Sequence, residues 1–147
     1  MHLVTSIEIN EKTSVVWAAI SDPNTIINLM PLSSGVEIVE QSDMTKTGDE
    51  STYRTMIGGT ETELVETVVE VIPEKVRRST LFCDWFEIEV GFTVTDTDSG
   101  VELESSLETI QLHPMAQFAL GMKSQLELEH MHATKLEELK HSIEAGD

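Results

Sequence analysis

Residues 3–9 alternate, with Leu3, Thr5, Ile7 and Ile9 on one side and Val4, Ser6 and Glu8 on the other, the period of a β-strand. The period then changes. Val16, Trp17 and Ile20 make the apolar face of a short helix that Thr13 or Ser14 can cap. Asp22-Pro23 restarts the chain as a second short helix through Ile26, Ile27 and Met30, with Asp22 as its cap and Pro31 as its stop. From Gly35 to Ile110 the chain reads as strands punctuated by turn chemistry: Val36–Gln41, Ser51–Ile57, Thr62–Ile72, Val76–Phe82, Trp85–Thr95 and Val101–Leu112. Connections this short imply hairpins and an antiparallel meander.

The last element is helical and long. Pro114 suits a first helical position and Gly146 a helix end, so about 30 residues would span roughly 45 Å. Its apolar stripe runs through Met115, Phe118, Ala119, Met122, Leu126, Ala133, Leu136 and Ile143, and Glu129 interrupts it. Order and spacing therefore predict an α+β fold: a curved antiparallel seven-stranded sheet wrapped around a long C-terminal helix, with two short helices after the first strand. One domain, 1–147, accounts for the whole chain, since no repeat or linker divides it.

Charge changes the picture of partners. Against 27 Asp plus Glu stand 9 Lys plus Arg, a net charge of -18. Binding to phosphate backbones or anionic membranes depends on clustered cations, so nucleic acid is excluded as a partner, and no apolar run is long enough for integral membrane association. With 39% hydrophobic residues the chain is no disordered acidic tail. A single cysteine, Cys83, and an N-terminus without a basic and apolar leader point to the cytoplasm. The acid excess also suits a high-salt cytoplasm, where screening relieves self-repulsion.

Alternation then assigns faces. Phe86, Ile88, Val90, Phe92 and Val94 oppose Glu87 and Glu89, and Val101, Leu103, Ser105 and Leu107 oppose Glu102, Glu104 and Glu108. The apolar sets should meet the helix and the glutamates should meet water, with facing glutamates on adjacent strands repelling one another. Val65, Val69 and Val71 form the better apolar face of their strand, which turns Glu66 and Glu70 outward; the opposite register would make Glu66 a cavity carboxylate. Arg77 and Arg78 point to opposite faces of a regular strand, so one of them, taken as Arg78, would look inward; if the strand starts later, both meet solvent. Tyr53 shares its face with Thr55 and Ile57 and is read as inward. Glu129 either leaves the sheet for solvent or meets a polar partner in the interior.

Other chemistry finds no support. His130 and His132, two apart on a helix, cannot hold one metal ion, Cys83 has no histidine close in sequence, and Gly58-Gly59 precedes no helix. No metal and no cofactor is expected.

Val16-Trp17-Ala18-Ala19-Ile20-Ser21-Asp22-Pro23, Gly35-Val36-Glu37, Glu66 to Pro73, Gly100-Val101-Glu102-Leu103 and the long C-terminal helix resemble the START-like (SRPBCC) helix-grip superfamily. The resemblance runs nearly end to end and is strongest with the polyketide cyclase/dehydrase and lipid-transport-like members. It implies a deep apolar cavity between helix and sheet for a small hydrophobic molecule such as a lipid or polyketide. In that cavity Phe118 and Met122 on the helix would oppose Phe86 and Phe92 on the sheet, with Tyr53, Arg78 and Glu129 as polar contacts. A carrier or sensor is the first functional expectation. A cyclase or dehydratase in the same cavity is the second, and a protein-interaction module the third.

Overall fold

Strand parity and turn chemistry together account for most of the architecture. The computed structural model describes residues 1–30, 32–116 and 124–146. Seven strands, β1 (His2–Ile9), β2 (Ser33–Glu40), β3 (Glu50–Ile57), β4 (Thr60–Ile72), β5 (Val76–Phe82), β6 (Phe86–Thr97) and β7 (Gly100–Leu112), form one antiparallel sheet ordered β1-β7-β6-β5-β4-β3-β2. Helices α1 (Thr13–Ile20) and α2 (Pro23–Asn28) connect β1 to β2, and α3 (Gln125–Glu144) closes the chain. This is the α+β helix-grip that the residue pattern predicts. Six strands follow in meander order, and β1 returns to the far edge beside β7, so the sheet is read in sequence from β2 to β7.

The concave face holds Leu3 and Ile9 from β1, Val101, Leu103 and Leu107 from β7, and Ile88, Val90 and Phe92 from β6, all buried. The α3 helix packs chiefly on β1, α2 on β2, and α1 on β6. Asp22 caps α2 as expected, accepting from the Asn24 backbone N–H at 2.9 Å, with Pro23 at the first turn. The start of α1 differs from expectation. Its N-cap is Lys12 without a side-chain bond, and the Thr13 hydroxyl instead donates to Asp96.

The C-terminal helical segment is not one continuous element as expected: Ala116 is helical, and the backbone is extended at Ser124. Pro114 lies in an exposed turn, Met115 is exposed, and α3 starts after Ser124, whose hydroxyl accepts from the Glu127 backbone N–H and donates to the Glu127 carboxylate. Ser124 with Glu127 is the serine-to-glutamate spacing of a capping box, which sets the start of α3. The buried stripe is Leu128, His132, Leu136 and Ile143, while Leu126 and Ala133 face solvent. Phe118 and Met122 lie outside the described residues.

His132 is fully buried where α3 crosses β1 and β7. Its Nδ1 is 3.1 Å from the Thr5 hydroxyl and its Nε2 is 3.0 Å from the Ser105 hydroxyl, so each ring nitrogen meets an inward-facing group of a different strand. Burial, with the Lys135 charge one turn away, lowers its pKa from 6.5 to about 4. The unfolded chain therefore binds the proton more readily, and the stability this histidine contributes is present above about pH 6.5 and lost as pH falls towards 4. Relative to a His132→Asn variant, the native chain should lose about 3 kcal/mol of stability between pH 7 and pH 4 in denaturant titrations. An equal slope in both proteins would contradict the assignment.

Glu66 apart, the strand and helix acids sit mainly on the convex face and the helix exterior, but the facing pairs differ from those expected. Register sets Glu89 opposite Glu108 and Glu8 opposite Glu102, whereas Glu87 meets Gln111. Like charges across a ladder repel and are screened by salt. The melting temperature should therefore rise between low and molar salt, and a salt-independent transition would show that the repulsion is already relieved.

Candidate functional site

On the concave side of β3, β4 and β5, polar side chains replace the apolar ones found elsewhere on that face. Register places Ser51 opposite Glu66 between β3 and β4, and Val68 opposite Ser79 between β4 and β5. A bulge between Val68 and Glu70 then breaks the alternation of β4. Glu66 and Glu70, four apart, would share a face in a regular strand. With the bulge, Glu66 is fully buried while Glu70 reaches the convex side and pairs with Arg78 at 3.5 Å. Outward placement of both glutamates is thus corrected for Glu66 and holds for Glu70, because no single register describes the strand.

Three donors converge on Glu66. The Tyr53 hydroxyl donates to Oε1 at 2.9 Å, Arg77 Nη1 to Oε2 at 2.8 Å, and the Ser79 hydroxyl to the same Oε2 at 2.6 Å. Arg77 Nη1 also reaches the Ser79 hydroxyl at 3.5 Å. Tyr53, Glu66 and Ser79 are each 0% exposed and Arg77 is 4% exposed. Burial, and then the neighbouring Glu66 charge, push the Tyr53 phenol well above its ordinary pKa, so it remains an O–H donor. Among the described residues no buried side-chain nitrogen or oxygen lacks a partner. With Glu66 paired to Arg77, the cluster has no net charge. Leu64, Leu81, Val90 and Phe92 continue the same concave face around it, and register sets Phe92 directly opposite Arg77.

The expected site residues fall into several places. Tyr53 is in the cluster and Phe92 is beside it. Phe86 is half-buried at the start of β6. Arg78 is corrected to the convex face, where its side chain is 41% exposed, pairs with Glu89 at 2.9 Å and runs across Gly91. Its neighbour Arg77 is the inward one. Glu129 is exposed on the outer side of α3, accepting from Gln125 Nε2 at 3.0 Å, since the stripe turns Leu128 inward instead. Phe118 and Met122 fall outside the described residues. Pattern alone does not single out Ser79 or His132 as interior residues, and it offers Arg77 only as the alternative to Arg78. Parity counted back from Leu81 would have turned Arg77 and Ser79 inward, but Phe82 competes with Leu81 as the apolar marker of β5. Among the described residues no group of histidine, cysteine and acidic side chains is arranged to hold a metal, and no helix is long and apolar enough to cross a membrane.

The chain matches no protein-family model and no curated protein sequence. Solved structures do resemble it. A protein from Deinococcus radiodurans superimposes with a TM-score of 0.70 at 12% identity, covering 100% of this chain and 99% of that one. One from Thermus thermophilus gives 0.70 at 14% identity with the same coverage. A START superfamily protein from Mycobacterium smegmatis gives 0.64 at 14% identity, covering 98% of this chain and 94% of that one. Identities this low speak for the fold, and the fold of this chain is the helix-grip that it shares with a START superfamily protein.

Proposed function

We propose that the chain binds a small hydrophobic molecule between sheet and helix, as a cytoplasmic carrier or sensor. In this reading Tyr53, Glu66, Arg77 and Ser79 form the polar end of the site, and Phe92 with the neighbouring aliphatic side chains forms its walls. The observation that carries the reading is the fully buried Glu66 with its three donors. An ion pair taken wholly out of water is a poor stability device, because desolvation offsets most of the attraction and apolar residues of similar size do as well or better. A few convergent polar groups on an otherwise apolar concave surface are, by contrast, the usual composition of a ligand site. Because Glu66 neutralises Arg77, the site favours an uncharged ligand with a hydroxyl or carbonyl oxygen over a free carboxylate, whose charge would be left uncompensated.

The second reading is a cyclase or dehydratase acting on a hydrophobic carbonyl compound, and the Tyr53–Glu66 contact favours it as a proton path. It is the weaker of the two. A phenol pushed upward by burial and by an adjacent carboxylate is a poor proton donor, and both oxygens of Glu66 are already occupied.

Native mass spectrometry of protein purified from its own host should show a retained uncharged molecule. Protein that carries no adduct and takes up no hydrophobic probe would end the binding reading. Replacing Glu66→Leu alone should cost about 3–5 kcal/mol, since Arg77 is then buried unpaired. Glu66→Leu combined with Arg77→Met should restore stability to within about 1 kcal/mol of the parent, or exceed it, while the retained ligand is lost. A double variant as unstable as the single one would assign the cluster to folding instead.

A further inference from the structure

Hydrogen-bonding capacity is left over unevenly in the Glu66 cluster. Both Glu66 oxygens are taken, Oε1 by the Tyr53 hydroxyl and Oε2 by Arg77 and Ser79. Tyr53 and Ser79 each spend their single proton on that carboxylate. Arg77 does not run out. A guanidinium donates from every one of its nitrogens. Among the described residues, however, only Nη1 finds acceptors, Glu66 Oε2 at 2.8 Å and the Ser79 hydroxyl at 3.5 Å. Nε and Nη2 make no hydrogen bond to them, although the residue is 4% exposed.

No fully buried side-chain nitrogen among the described residues lacks a partner, so the Nε–Nη2 edge keeps contact with open space. The helices leave that part of the sheet free. Among the described residues α3 packs chiefly on β1, α2 on β2 and α1 on β6, to either side of β4 and β5. The walls around the edge are apolar: Phe92 stands opposite Arg77 on β6, and Leu81 lies further along the inward face of β5.

The N–H groups on that edge of the planar guanidinium point the same way, as the prongs of a fork. A carbonyl oxygen has lone pairs for both and no proton of its own. A hydroxyl accepts equally well but brings a proton, and the carboxylate that would receive it is already filled. A donor left unmet among apolar side chains costs free energy that a carbonyl avoids.

We infer that Arg77 is the specificity-determining residue of the site, and that the group it reads is a ligand carbonyl, as in a ketone or ester, in preference to an alcohol. The inference rests on the binding reading above and narrows it. Glu66 holds the guanidinium through Nη1 and leaves the Nε–Nη2 edge to the ligand.

Displacement of the fluorescent probe N-phenyl-1-naphthylamine from the full chain tests this with methyl nonyl ketone and the corresponding secondary alcohol, which differ only at the oxygen. The ketone should displace the probe at about tenfold lower concentration than the alcohol. Arg77→Lys keeps a positive charge opposite Glu66 but has no fork, and there the ketone's advantage should shrink to about twofold or less. The infrared C=O stretch of isotope-labelled ketone bound to the parent chain should fall below its value in an alkane solvent, a readout that does not depend on the variant folding. Equal displacement by ketone and alcohol, or an unshifted stretch, would overturn the assignment and leave the binding reading in place. A ketone advantage that persists in folded Arg77→Lys would equally overturn the role of Arg77. A parent chain that takes up no probe would instead overturn the binding reading itself, and this inference with it.

Discussion

A carboxylate with no access to water must have its donors supplied by the protein, and in this fold Glu66 imposes that demand on three strands at once. Tyr53 comes from β3, Arg77 and Ser79 from β5, and the bulge after Val68 lets β4 turn Glu66 in while Glu70 goes out. Remove any donor and a charge or a hydroxyl is left buried without compensation, a penalty comparable to a sizeable fraction of a small domain's stability. The register of the β3-β4-β5 half of the sheet is thereby tied to one interaction. The other half, β6, β7 and β1, is set by apolar side chains alone and by the two hydroxyls that receive His132.

The C-terminal helix is held in a corresponding way. Leu128, Leu136 and Ile143 supply the apolar contact, while His132 and Lys135 supply direction: the first points at β1 and β7, the second at the carbonyls after α2 and at the start of β2. Apolar contact does not distinguish small rotations of a helix, but hydrogen bonds with fixed partners do. Burial, with the Lys135 charge nearby, keeps the His132 imidazole neutral, and its two hydroxyl partners confine α3 to one rotation about its axis.

Charge is segregated sharply. The large acid excess lies outside, where Arg54 gathers Glu37, Glu61 and Glu63 and Arg78 gathers Glu70 and Glu89. Two of the three arginines are thus spent on the convex surface, and the third meets Glu66, among the described residues the one acid that is wholly buried. The interior and the surface follow different electrostatic rules, and the net charge describes only the surface.

Sequence by itself determined the order of elements, the antiparallel meander, the Asp22-Pro23 helix start and the inward faces of β6 and β7, because each rests on local chemistry: turn residues, a cap, or strict period-2 alternation. It also marked Tyr53 as inward, since Tyr53 shares its parity with Thr55 and Ile57 while the charged Arg54 stands on the other. What only tertiary structure decided was which of Glu66, Glu70, Arg77 and Arg78 enter the core, where α3 begins, and which way it is rotated. A bulge shifts parity without a residue type that announces it, and β5 carries apolar markers on both faces. The rotation of α3 follows from His132 meeting hydroxyls more than a hundred residues away on β1 and nearer by on β7, a match that exists only once the sheet has curled around the helix.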